Sequence, residues 1–281
     1  MTDLPEAPQI YEAALASAKS LRLQADNIEI QMHSWGSGDP CILLLHGGYG
    51  SWAHWIRVVP RLASFTEVLA PDMPGFGLSD APKQPHTAES VAIPLANAVK
   101  QMIGGRPLII AGFSFGGAIA GHVAALLSRQ ACHLMLVGPG GLGAPRGDMQ
   151  DLIRRTHGMS RAQIIAAHRR NLEILMVHNP LCIDELALFI QENNTRLHRL
   201  KSRSISATDT LAQILVDVKC PVSALFGEFD ASVGVYRPER EAILKALLSD
   251  IEIEVVPKVG HWLMWENSGL VIDRLKALAM A

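Results

Sequence analysis

The chain has 281 residues, 49% of them apolar and 19% charged, with a formal net charge of −2. That composition excludes a disordered chain, and the charge balance offers no electrostatic footing for nucleic acid. The length suits one large α/β domain that carries an insertion.

Its apolar runs are of strand length, too short to span a bilayer, and Met1-Thr2-Asp3-Leu4-Pro5-Glu6 lacks a signal-peptide layout. Cys41, Cys132, Cys182 and Cys220 are scattered, with no C-x-x-C spacing. A reduced, cytoplasmic protein with no membrane or nucleic-acid partner is the expectation.

In chain order, the pattern predicts a helix over 8–20 and strands over 21–23 and 28–34. A Gly/Pro-rich turn at 35–40 leads to a strand over 41–45. Residues 54–63 read as helix, 66–70 as strand and 87–102 as helix. The strand at 107–111 precedes a helical run over 118–127, and 133–137 is the next strand. Helical spacing then dominates, over 148–155, 161–177 and 183–198, before strands return at 222–226 and 251–256. Strands alternating with helices predict a mostly parallel central sheet with helices on both faces. Residues 1–138 and 219–281 would form this core, and 139–218 a helical cap over the ligand-binding strand ends.

Between the strand and the helix lies Gly112-Phe113-Ser114-Phe115-Gly116-Gly117. Glycines two residues either side of a serine allow a turn tight enough to lift its hydroxyl clear of the backbone. The string alone arises by chance in roughly one chain of this length in ten, so it needs company. Three further elements supply it. Asp230 follows the 222–226 strand, Gly260-His261 follows the 251–256 strand, and His46-Gly47-Gly48-Tyr49-Gly50 follows the 41–45 strand. All fall at strand C-terminal ends.

These residue types form a set for acyl transfer. Ser114 would attack a carbonyl carbon, His261 would take and return the proton, and Asp230 would orient the imidazole. The backbone amides of Phe115 and Gly48 would hold the oxyanion. Gly47, Phe113, Trp262 and Arg196 are the candidate substrate contacts. Glu228 competes with Asp230 for the carboxylate role, Asp72 reads as a turn anchor, and His46 as a loop anchor. His157, His168, His178 and His198 lack metal-site spacing and no H-E-x-x-H occurs, so neither a metal nor a cofactor is expected.

Over nearly its full length the chain resembles the α/β-hydrolase fold, whose order of nucleophile, acid and base is matched by Ser114, Asp230 and His261. Asp72-Met73-Pro74-Gly75-Phe76-Gly77-Leu78-Ser79 is similar to that family's D-x-P-G-x-G-x-S loop. Gly138-Pro139-Gly140-Gly141 and Gly260-His261-Trp262-Leu263-Met264-Trp265-Glu266 resemble the meta-cleavage-product hydrolases, which split C–C bonds in vinylogous diketones.

The chain departs from that subgroup in having Phe113 where asparagine is usual and Gln191 where the cap arginine would align. Arg196, Arg199 and Arg203 are the alternative cap cations. The apolar residues around the site favour a small, largely apolar carboxylic ester or lactone as substrate. C–C bond hydrolysis, and a non-hydrolytic lyase or ligand-sensing receptor on the same fold, are the alternatives. The resemblance also admits a homodimer.

Overall fold

The computed structural model describes residues 6–281; the acidic start at 1–5 lies outside the described residues. Eight strands form one sheet: β1 (Lys19–Ala25), β2 (Ile28–Trp35), β3 (Cys41–Leu45), β4 (Val68–Pro71), β5 (Leu108–Phe113), β6 (Ala131–Val137), β7 (Val222–Gly227) and β8 (Glu252–Val256). Their order is β1-β2-β4-β3-β5-β6-β7-β8. The β1–β2 and β2–β4 pairs are antiparallel, and every pair from β4 to β8 is parallel.

Eleven α-helical segments surround the sheet among the described residues. They are α1 (Glu6–Ala16), α2 (Val59–Leu62), α3 (Ala88–Ile103), α4 (Phe115–Leu126), α5 (Arg161–Leu175), α6 (Glu185–Leu197), α7 (Arg203–Ser206), α8 (Thr210–Ile214), α9 (Arg237–Leu247), α10 (Leu263–Glu266) and α11 (Ser268–Met280).

The central strands are apolar at every position because both of their faces are covered. Leu43, Leu45 and Ile110 point into one layer with Val91, Leu95 and Val99 of α3 and Ile119 and Val123 of α4. Ile42, Leu44 and Ile109 point into the other, with Leu62, Trp262 and Val271. Burying each such side chain contributes about 1.5–3 kcal/mol, so the two-residue strand period fixes register and layer together.

Helix starts follow local chemistry. Thr87 and Ser90 form a reciprocal capping box on α3, and Ser160 and Gln163 do the same on α5. Between β6 and β7 the chain carries α5 to α8 and no strand. The expected helix over 148–155 is absent; that segment runs without regular structure. Asn171 of α5 explains why. Its carboxamide accepts from Ile153 N (2.8 Å) and donates to Ile153 O (3.0 Å), so the backbone finds partners outside a helix. The expected helix over 54–63 is likewise broken, into a 3₁₀ turn at Trp52–Trp55 and α2, where Pro60 enters at the first turn. Among the described residues, no helix is long and apolar enough to cross a membrane.

Candidate active site

Ser114 occupies the turn from β5 into α4 with φ +54° and ψ −115°, a region rarely adopted by residues with side chains. Three backbone bonds hold it there. Ser114 N donates to Val137 O (2.9 Å), while Gly117 N and Gly140 N donate to Ser114 O (2.9 and 3.0 Å). The turn also requires its glycines. A Cβ on Gly116 would sit 2.4 Å from His46 O and 2.5 Å from Leu45 O, so α4 approaches β3 closely only because that side chain is missing.

Across the sheet ends, Ser114 Oγ lies 2.9 Å from His261 Nε2, and His261 Nδ1 lies 2.7 Å from Asp230 Oδ2. The carboxylate accepts the Nδ1 proton, which leaves the Nε2 lone pair free to accept from the serine hydroxyl. Ser232 supports this arrangement. Its amide donates to Asp230 Oδ1 (2.8 Å), and its Oγ lies 3.2 Å from His261 Nδ1. Burial alone would raise the Asp230 carboxyl. The His261 charge, with hydrogen bonds from His261 and Ser232, outweighs it and holds the group below the usual carboxylate range. Glu228 is turned away and accepts from Lys258 N (2.9 Å), so Asp230 is the carboxylate that meets the imidazole.

The loop after β3 is clamped by two histidines. His46 donates from Nδ1 to Gly47 O (2.8 Å) and accepts at Nε2 from Met73 N (3.0 Å). His54 accepts at Nδ1 from Gly47 N (3.2 Å). Burial pushes the His46 imidazole down to about 4, and burial with the neighbouring His46 and His261 pushes His54 well below its ordinary value. Both are therefore neutral and able to accept.

Gly47 commits its N–H to His54 and its carbonyl to His46, so the amide of this expected substrate contact is already taken. The next amide, Gly48 N, has no acceptor among the described residues, and neither has Phe115 N. A Cβ on Gly48 would come within 3.6 Å of Phe115 Cβ, which places the two loops side by side. Asp72 anchors the neighbouring turn by accepting from Trp52 N (3.2 Å) and Leu78 N (2.9 Å). Burial raises its carboxyl to about 6.

A model of the alpha/beta hydrolase family matches residues 42–274, which takes in every element of this site. The chain belongs to that family. This hydrolase is 28% identical over 259 residues to a 2-hydroxy-6-oxo-6-phenylhexa-2,4-dienoate hydrolase of Burkholderia cepacia, covering 86% of this chain and 88% of that protein. Its fold matches a meta-cleavage product hydrolase from Pseudomonas fluorescens with a TM-score of 0.70 at 22% identity, over 92% of this chain and 96% of that one. A serine hydrolase from Cycloclasticus zankles matches with a TM-score of 0.74 at 20% identity, over 92% of this chain and 96% of the other.

Of the other expected substrate contacts, Trp262 and Phe113 are buried against residues of the site and Arg196 is exposed on α6. Trp262 is 1% exposed; its indole donates to His54 O (3.0 Å) and stacks on Trp265 at 4.4 Å, so it braces the loop clamp from behind. Phe113 is also 1% exposed and packs against the His261 ring at 4.8 Å and the His54 ring at 5.6 Å. Arg196 is exposed near the end of α6. The structure brings Arg146 and Arg240 to the Ser114 cavity instead.

Glu266, quoted in the motif but given no role there, gathers amides. Its carboxylate accepts from Gly260 N (2.7 Å), Asn179 N (2.8 Å) and His178 N (3.1 Å). That ties the loop bearing His261 to the segment after α5. Hydrogen bonds to a charged acceptor contribute about 1.5–3 kcal/mol each, with heavy overlap when they share one acceptor. Glu266→Ala is expected to lower stability by about 2–4 kcal/mol and to reduce kcat as the imidazole loosens. Denaturant unfolding and steady-state rates on one preparation check both effects.

Proposed function

We propose that this protein is a serine hydrolase that cleaves a carboxylic ester through an acyl-enzyme on Ser114. The observation that carries the proposal is the hydrogen-bonded chain from Ser114 through His261 to Asp230, beside two unspent amides at Phe115 and Gly48. Ser114 Oγ attacks the carbonyl carbon as its proton passes to His261 Nε2. The tetrahedral oxyanion is held by Phe115 N and Gly48 N, each contributing about 3 kcal/mol toward the transition state. Collapse expels the alcohol, which takes the proton from His261. Water then attacks the acyl carbon with His261 as base, releasing the acid and restoring Ser114. Asp230 keeps Nδ1 protonated and stabilises the imidazolium in both halves. The helical segment 139–218 is the cap that gates entry.

A second reading, hydrolysis of a C–C bond in a vinylogous diketone, is favoured by the relatives whose names describe dienoate hydrolases. Ser114 would attack the ketone in the same geometry, with a carbon leaving group in place of the alcohol.

A side-by-side assay separates the two. A p-nitrophenyl ester series of rising chain length is expected to turn over rapidly with a chain-length optimum. Rapid loss of a meta-cleavage dienoate with sluggish ester turnover would overturn the ester reading in favour of C–C hydrolysis. Turnover of neither, despite labelling of Ser114 by a fluorophosphonate, would point to a lyase or a sensor.

A further inference from the structure

The larger cavity, about 330 Å³ between α1 and α2, is lined by Ala14, Trp35, Val59 and Ala63 among others, and no imidazole, carboxylate or thiol reaches it. The cavity onto which Ser114 opens is small, about 20 Å³, and its lining is unlike that of a neutral pocket. Gly138, Pro139 and Gly140 form one side and Ser206, Ala207 and Ser232 another, while two guanidinium groups, Arg146 and Arg240, complete it.

Neither arginine has an acidic partner within 4 Å among the described residues. Arg240, carried by α9, is 4% exposed; its Nη2 donates to Pro145 O (2.9 Å) and Ala144 O (3.3 Å). Its Nε is buried with no acceptor, and so is the Nε of Arg146. Arg203, exposed at the start of α7, adds a third positive charge near Arg146. Arg146 itself is half-buried; both arginines feel the Asp230 carboxylate, whose oxygens are already occupied by His261 and Ser232, and Arg240 also feels Glu239. Cations with buried, unused donors and no carboxylate paired to them are costly to the protein alone. A bound anion would offset that cost. Desolvation, which outweighs the pull of Asp230, pushes both guanidinium groups below the usual arginine range, as expected for cations without a paired carboxylate.

We propose that Arg146 and Arg240 form an anion subsite, open to Ser114, that receives a carboxylate carried by the substrate. The proposal rests on Ser114 as the nucleophile. It revises the expectation of a wholly apolar substrate and gives the cation role to residues from the β6 exit loop and α9, not to Arg196. Guanidinium groups suit this task because their planar donors match the two oxygens of a carboxylate. The cavity has room for about one water molecule, so a substrate has to part residues 144–146 from 206–207 as it enters.

Matched esters on the full-length protein test the assignment. p-Nitrophenyl butyrate against mono-p-nitrophenyl glutarate compares acyl chains without and with a carboxylate. Phenyl acetate against 4-acetoxybenzoate does the same for the leaving group. For at least one pair, kcat/KM is expected to favour the anionic ester about tenfold, with the preference shrinking at high salt. In Arg146→Gln the anionic-to-neutral ratio is expected to fall about tenfold through KM, and Arg146→Lys should restore part of it.

Arg240→Lys gives the same readout if it folds. Should it not, competitive inhibition by glutarate, expected in the parent protein and weakened in Arg146→Gln, serves instead. No anionic preference in either pair, or a ratio unchanged in Arg146→Gln, would overturn the subsite alone. A purely structural role for the arginines would lower both esters together and leave the ratio fixed. Absence of neutral-ester turnover together with absence of Ser114 labelling would overturn the nucleophile assignment and the subsite with it.

Discussion

Ser114→Ala is expected to lower kcat/KM by about 10⁴-fold or more while the far-ultraviolet circular dichroism stays unchanged. The reason is local. The hydroxyl is the only group at the elbow that can form a covalent bond, and its bond to His261 Nε2 at 2.9 Å is the step through which its proton leaves. The backbone around it is fixed by Val137 O, Gly117 N and Gly140 N, none of which touches the side chain, so the turn survives the change. Alanine meets the same strain at φ +54° as serine, and the melting temperature is expected to move by less than about 3 °C. Residual activity near the parent level would mean that the chemistry runs elsewhere.

Gly116→Ala is expected to damage both stability and turnover. The added Cβ would meet two backbone carbonyls, His46 O and Leu45 O, at 2.4 and 2.5 Å, and neither can rotate away. α4 has to retreat from β3, which costs about 1–3 kcal/mol or somewhat more. The retreat also separates Phe115 N, at the first turn of α4, from Gly48 N in the loop after β3. Misplacing the oxyanion amides by about an ångström should reduce kcat about 100-fold. Gly105→Ala is the control. A Cβ there meets nothing within 4 Å, and its effect is expected to stay within about 0.5 kcal/mol. Equal effects of the two substitutions, by denaturant midpoint and by rate, would refute the close-packing argument.

The parts of this fold that were legible in the sequence are those whose physics is local. Leu43 to Leu45 and Leu108 to Ala111 announce buried strands because no polar residue interrupts them. The elbow is legible because its glycines bracket a serine at the strand–helix junction. Asp230 follows an apolar run and His261 an alternating one, and the fold carries such strand ends to one edge, where the structure joins them to Ser114.

What was not legible depends on partners distant in sequence. That Gly47 N is spent within its own loop depends on His54, seven residues on, which takes that amide. Trp262 is an expected substrate contact, and its indole instead donates to His54 O, behind the loop. The segment 148–155, expected as helix, has the backbone of Ile153 bonded to the distant Asn171 carboxamide. Arg146 and Arg240 lie in a Gly/Pro-rich exit loop and on an amphipathic helix, contexts in which arginine is usually solvated; only the packing of that loop on α9 buries Arg240 and brings both to the Ser114 cavity.

The central claim, that Ser114 is the nucleophile activated by His261, is tested most directly by mass spectrometry of the intact protein and its peptides after a fluorophosphonate. One adduct per chain on the peptide containing Ser114, slowed at least 100-fold in His261→Ala, is the result expected. A protein that stays unlabelled, or an adduct on another residue, would contradict it.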